Sequence, residues 1–77
     1  MARVRLFAAA EDAVGADTLT RDETTLGALR AALTAEFPDL DGLLPRCAVL
    51  VGGARVDDDT PLGVDDVVDV LPPFAGG

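Results

Sequence analysis

The sequence predicts an α+β domain in which a mixed sheet is covered by one main helix. Three observations carry that expectation. Val4 and Leu6 alternate with Arg3 and Arg5 near the start, as Val68 and Val70 alternate with Val67, Asp69 and Leu71 near the end, and alternation of that kind marks strands. Leu26, Leu29, Leu33 and Phe37 recur at helical spacing. Gly52-Gly53 closes the apolar run 47–51 as a hairpin turn does.

At 77 residues, of which 49% are hydrophobic, the chain makes one domain with enough apolar material for a core and no room for a second. In the first strand, Val4 and Leu6 share the inward face, which turns Arg3, Arg5 and Phe7 outward. The small residues 8–14 lead to Gly15, and residues 17–21 return as a strand with Leu19 inward, closing an N-terminal hairpin.

Thr25 stands where a helix cap satisfies the first free amides, and Ala28 and Ala32 accompany the leucine stripe. Pro38 ends the helix near Phe37, because proline disfavours helical geometry in the residue before it. Residues 39–45 read as a loop or short turn. Cys47 opens an apolar run through Val51 and is expected to be a buried packing residue, while Arg55 and Val56 begin the strand that returns after the glycines.

Residues 57–61 form a charged connection that lacks the ligand spacing and closing glutamate of a calcium loop. In the last strand, 67–71, Val68 and Val70 face inward and Val67, Asp69 and Leu71 outward. Strand, strand, helix, strand, strand, strand in one small domain is the β-grasp, or ubiquitin-like, arrangement, and the reading divides the chain into a domain of residues 1–71 and a flexible C-terminal Gly-Gly tail, 72–77.

Composition narrows the function. There is no histidine and one cysteine, so zinc sites, disulfide frameworks and Ser-His or Cys-His nucleophile pairs have no residues to build them, and no metal site is expected. The net charge of −8 comes from 14 acidic residues against six arginines, which repels nucleic acid and anionic membranes and favours a basic protein partner. The first residues lack a signal peptide's continuous apolar stretch and no membrane-length run follows, so a cytoplasmic location is expected.

The tail points to chemistry. Pro72-Pro73 stiffens a stem that precedes Phe74, Ala75, Gly76 and Gly77. Lacking a Cβ, Gly76 and Gly77 can adopt conformations closed to other residues and enter a narrow site with the carbonyl exposed. The carboxylate of Gly77, with a pKa of about 3.3–3.7, is an anion at neutral pH and resists nucleophiles until its oxygen becomes a leaving group. The chain has no glycine-rich phosphate loop with lysine, so any activation of that carboxylate with a nucleotide would fall to another protein. Phe7 and Leu71, at the ends of strands that run parallel in this topology, form an outward apolar docking patch at the base of the tail, with Arg55 at its rim.

Leu6-Phe7-Ala8 with Val14-Gly15, Thr25-Leu26 with Ala28-Leu29-Arg30, and Asp66-Val67-Val68 running into Leu71 and the Gly-Gly tail resemble the ubiquitin-like sulfur carriers, most closely the small subunit of molybdopterin synthase. The resemblance implies that an enzyme similar to ubiquitin activators adenylates Gly77 with ATP. A sulfur donor protein then converts it to a thiocarboxylate, and the tail from Pro72 through Gly76 threads into the large synthase subunit, where sulfur passes to a pterin precursor. It implies no cofactor bound by the chain itself and no self-contained active site.

The chain departs from the family pattern at Glu11, Gly52 and Asp65, and carries Arg5 and Arg55 where relatives carry apolar residues. The same activated glycine would serve a carrier for thiazole, cysteine or another sulfur-containing product, or a ubiquitin-like protein modifier joined to target lysines. A non-covalent interaction domain of this fold would need no free Gly-Gly.

Overall fold

In the computed structural model, which describes residues 1–73, the alternation at the N-terminus forms strand β1, Ala2–Leu6, with Ala2, Val4 and Leu6 buried and Arg3 and Arg5 exposed. The inward side chains of β1 meet those of β5, Val67–Leu71, where Val68 and Val70 are buried. Strand β2, Thr18–Arg21, β3, Ala48–Val51, and the two-residue β4, Ala54–Arg55, complete the sheet. Its order is β2-β1-β5-β3-β4. The central pair, β1 with β5, is parallel and the other three pairings are antiparallel. A mixed sheet of this order with a helix across it is the β-grasp fold.

Helix α2, Leu26–Glu36, buries Leu26, Leu29 and Leu33 in the same core as Val4, Leu6, Val68 and Val70. The Thr25 side chain caps it, accepting the Ala28 N–H at 3.1 Å. The amides of Leu26 and Gly27 donate to the carbonyls of Thr60 and Asp58 at 3.0 and 2.9 Å, so three free donors of the first turn find partners. Gly27 permits this approach, because a Cβ there would stand 3.0 Å from the Asp58 Cβ and 3.1 Å from its carbonyl oxygen.

Three local differences from the sequence reading have physical causes. Residues 9–14, read as a small-residue stretch, form helix α1, Ala9–Val14, with Ala10 fully buried and Gly15 in the left-handed conformation at its end. Residues read as loop fold into two 3₁₀ turns, Pro38–Leu40 and Leu44–Arg46, which carry Leu40 and Leu44 into the core. Cys47 is half-buried rather than buried, packed against the core with its thiol donating to the Leu43 carbonyl at 3.3 Å.

Gly52 and Gly53 have φ of 59° and 82°. Positive φ at both central positions is what a two-residue hairpin loop needs to match strand twist. Leu50 then faces Arg55, and Val51 faces Ala54.

Candidate functional site at the base of the C-terminal segment

The outward face of the sheet, opposite α2, is built in rows set by register. One row runs Thr18, Arg5, Asp69, Leu50 and Arg55 across all five strands. The next row, toward the C-terminal segment, holds Leu71 beside Ala48. Leu6 is level with Val70 on the parallel neighbour, so Phe7 is level with Leu71, and the Phe7 N–H donates to the Val70 carbonyl at 3.3 Å. Phe7 is 37% exposed, an uncommon position for a large aromatic, whereas Leu71, Ala48 and Leu50 are half-buried. The sheet thus brings Phe7 and Leu71 together at the point where β5 ends, and it places Arg55 one row away at the β4 edge.

Ala48 and Leu50 extend the apolar patch and were not singled out from sequence. Their signal was available: a continuous apolar strand hides its period, but alternation counted from Val49 puts both on the outward face.

Arg5 is fixed on this face. Its Nε and Nη2 donate to the two oxygens of Asp69 at 2.5 and 2.7 Å, a bidentate pair one strand away in register. These bonds hold the guanidinium pKa above its ordinary value. The guanidinium carbon also lies 5.9 Å from the centroid of the Phe7 ring, within cation–π range. Asp69 therefore steadies Arg5, and Arg5 flanks the aromatic residue beside Leu71.

Beyond Leu71, Pro72 is buried and Pro73 exposed, so close packing of the body runs through Pro72. Phe74, Ala75, Gly76 and Gly77, read from sequence as the threading and sulfur-bearing residues, lie outside the described residues.

Other features belong to the scaffold. Burial pushes the Cys47 thiol up, opposed more weakly by Arg30 and Arg46, so it is a poor nucleophile at neutral pH. Asp57 turns its Oδ1 toward its own turn, accepting from the Asp59 amide at 3.1 Å and the Thr60 hydroxyl at 3.4 Å. Among the described residues, no group of three or more acidic, cysteine or histidine side chains is placed to hold a metal ion, and no helix is long and apolar enough to cross a membrane. A cavity of about 490 Å³ lined by Gly27, Arg30, Ala31, Thr34, Leu44 and neighbours lies on the helix side, across the sheet from Phe7 and Leu71.

Comparison with known proteins agrees with this architecture. The chain is similar to a subunit in the solved complex of subunits 1 and 2 of the molybdopterin-converting factor from Helicobacter pylori, at 31% identity and a TM-score of 0.74 over 99% of this chain and 97% of that one. It is similar to the small archaeal modifier protein SAMP1 from Haloferax volcanii at 26% identity and a TM-score of 0.79, covering 99% and 98% of the two chains. The homologous modifier from Methanosarcina acetivorans, at 22% identity, shares the fold at a TM-score of 0.85 over 99% and 95%. No curated protein matches the chain. A family profile described as the ThiS family matches residues 4–77, nearly the whole sequence. The chain therefore belongs to the ThiS family of ubiquitin-like sulfur carriers.

Proposed function

We propose that this chain is the small, sulfur-donating subunit of a molybdopterin synthase. The observation that carries the reading is its 31% identity, over nearly the full length of both chains, to a protein solved in the complex of molybdopterin-converting factor subunits 1 and 2. The outward patch of Phe7, Leu71, Ala48 and Leu50 supports it, because clustered exposed apolar groups next to a reactive tail suit docking on a larger subunit.

In this reading a Gly77 oxygen attacks the α-phosphate of ATP on a separate activating enzyme, releasing pyrophosphate. Sulfide-level sulfur supplied by a donor protein then attacks the acyl carbon and displaces AMP to give a terminal thiocarboxylate. With Phe7 and Leu71 seated on the large subunit and Arg55 at the rim, Pro72, Pro73, Phe74, Ala75 and Gly76 lead Gly77 inward, and its sulfur passes to a pterin precursor while water restores the carboxylate. The chain itself needs no bound cofactor.

Similarity to the small archaeal modifier protein favours a second reading, conjugation of Gly77 to target lysines. The sequence has no lysine, so it could be joined to other proteins but not through lysine to itself. Intact mass spectrometry after incubation with the activating enzyme, ATP and a sulfur source separates these. Replacement of one terminal oxygen by sulfur, followed by loss of that sulfur on adding large subunit and pterin precursor, is expected. A persistent unmodified carboxylate would overturn the carrier role in cofactor synthesis, and isopeptide-linked adducts on other proteins would favour the modifier.

A further inference from the structure

The arginines of this chain are spoken for with two exceptions. Arg5 is held by Asp69, Arg21 by Glu23 and Glu36, Arg30 by Asp58, and Arg46 is also engaged. Arg3 shares a groove with Asp65 and Asp66 at the far end of the sheet. Arg55 is different. It is exposed, level with Leu50 of the apolar patch, and has no ion pair among the described residues, in a sequence with 14 acidic side chains. The nearest carboxylate along the chain, Asp57, has its Oδ1 occupied by the turn it closes.

From this we infer that Arg55 reads an acidic side chain on the docking partner, so that the partner's surface is an apolar socket with a carboxylate at the rim beyond Leu50. The inference rests on the docking reading above and adds the chemistry of the partner's rim. The chain's overall charge of −8 would repel an acidic protein at long range. Exposed charges farther apart than about 8 Å are largely screened at physiological ionic strength, and the molecule is 19 Å through its shortest dimension. A partner on the outward face therefore meets mainly the charges of that face. There Arg5 and Asp69 cancel, and the exposed carboxylates of Glu11 and Asp17 lie at the Phe7 end, lining a groove with Arg5 and Phe7, which leaves Arg55 as the uncompensated cation at the opposite, Leu50 end of the patch. Guanidinium is also the cation best matched to a carboxylate, which it can grip with two parallel hydrogen bonds.

The test measures affinity of the full chain for the recombinant large subunit of molybdopterin synthase from the same organism, at low and high salt. Arg55→Glu is expected to weaken binding by about 10-fold or more and Arg55→Ala by about 3-fold to 10-fold, with a flatter salt dependence in both. Arg3→Glu makes the same charge change away from the patch and is expected to stay within about 2-fold. Phe7→Ala reports on the docking face itself. If Phe7→Ala weakens binding while Arg55→Glu leaves it unchanged or tightens it, the acidic rim is wrong and the docking face stands. An equal loss from Arg3→Glu also overturns it, since net charge alone would then explain the effect. If neither Phe7→Ala nor Arg55→Glu changes affinity, the docking face itself is lost. Thermal midpoints of the variants verify that each is folded.

Discussion

Ala8 is the residue at which the backbone takes a conformation its side chain resists. With φ 52° and ψ −124°, and with the Ala10 N–H donating to the Phe7 carbonyl at 3.0 Å, it occupies the first central position of a type II′ turn, where glycine is the usual residue. Strain of this kind costs on the order of 1–3 kcal/mol, offset in part by the greater freedom that glycine gives the unfolded chain. Ala8→Gly is therefore expected to stabilise the domain by about 1 kcal/mol in denaturant titrations, and an unchanged or lower midpoint would show that the position is not strained. The turn follows directly on Phe7, so the strain sits beside the docking patch. None of this was legible in sequence, because Ala8-Ala9-Ala10 carries no turn residue. Phe7, Leu71 and Arg55 were legible as outward positions, since strand alternation assigns faces. The Arg5–Asp69 pair was not, because it depends on the register between strands 64 positions apart.

The elements show the same division between local and long-range information. α2 was readable in full: its leucine stripe, its end before Pro38 and its cap at Thr25 all follow from spacing and local chemistry. β1, β2, β3 and β5 were readable from alternation or apolar runs, and the Gly52-Gly53 turn from the glycines. α1 and the two 3₁₀ turns escaped because short segments lack a full helical period, and their stability comes from burying Ala10, Leu40 and Leu44 rather than from propensity. The cap at Thr25 has a measurable weight. Thr25→Ala removes the acceptor for the Ala28 amide and is expected to cost about 1 kcal/mol, or roughly 4–8 °C in Tm for a domain this size. A loss well below about 0.5 kcal/mol would mean that the carbonyls of Asp58 and Thr60, which already serve the Leu26 and Gly27 amides, hold this end of α2 without help from the cap.

For the molecule as a whole, pH acts through a short set of groups. The sequence has no histidine, the side chain whose ordinary charge change falls between about pH 5 and 8. Stability is expected to be flat from about pH 5.5 to 7.5. Below that window two effects oppose each other. Arg21 donates to Glu23 at 2.7 and 2.9 Å and also to Glu36, and these bonds lower both carboxyl pKa values. Because the folded values lie below the unfolded ones, the stability they lend is present above the unfolded carboxylate range and drains away as pH falls through the lowered folded values. Protonation elsewhere relieves the mutual repulsion of a chain carrying −8. The lowered pKa values of Glu23 and Glu36 delay the loss of the Arg21 pairs, so a modest rise in Tm on approaching the isoelectric point near 4.1 precedes the fall. Salt separates the terms: at pH 7 it screens the repulsion and raises Tm, while near the isoelectric point little net charge remains to screen and the rise disappears. Thermal melts across pH at two salt concentrations measure both, and a titration step inside the neutral window, or a Tm that falls with salt at pH 7, would show that local ion pairs outweigh the charge of the whole chain.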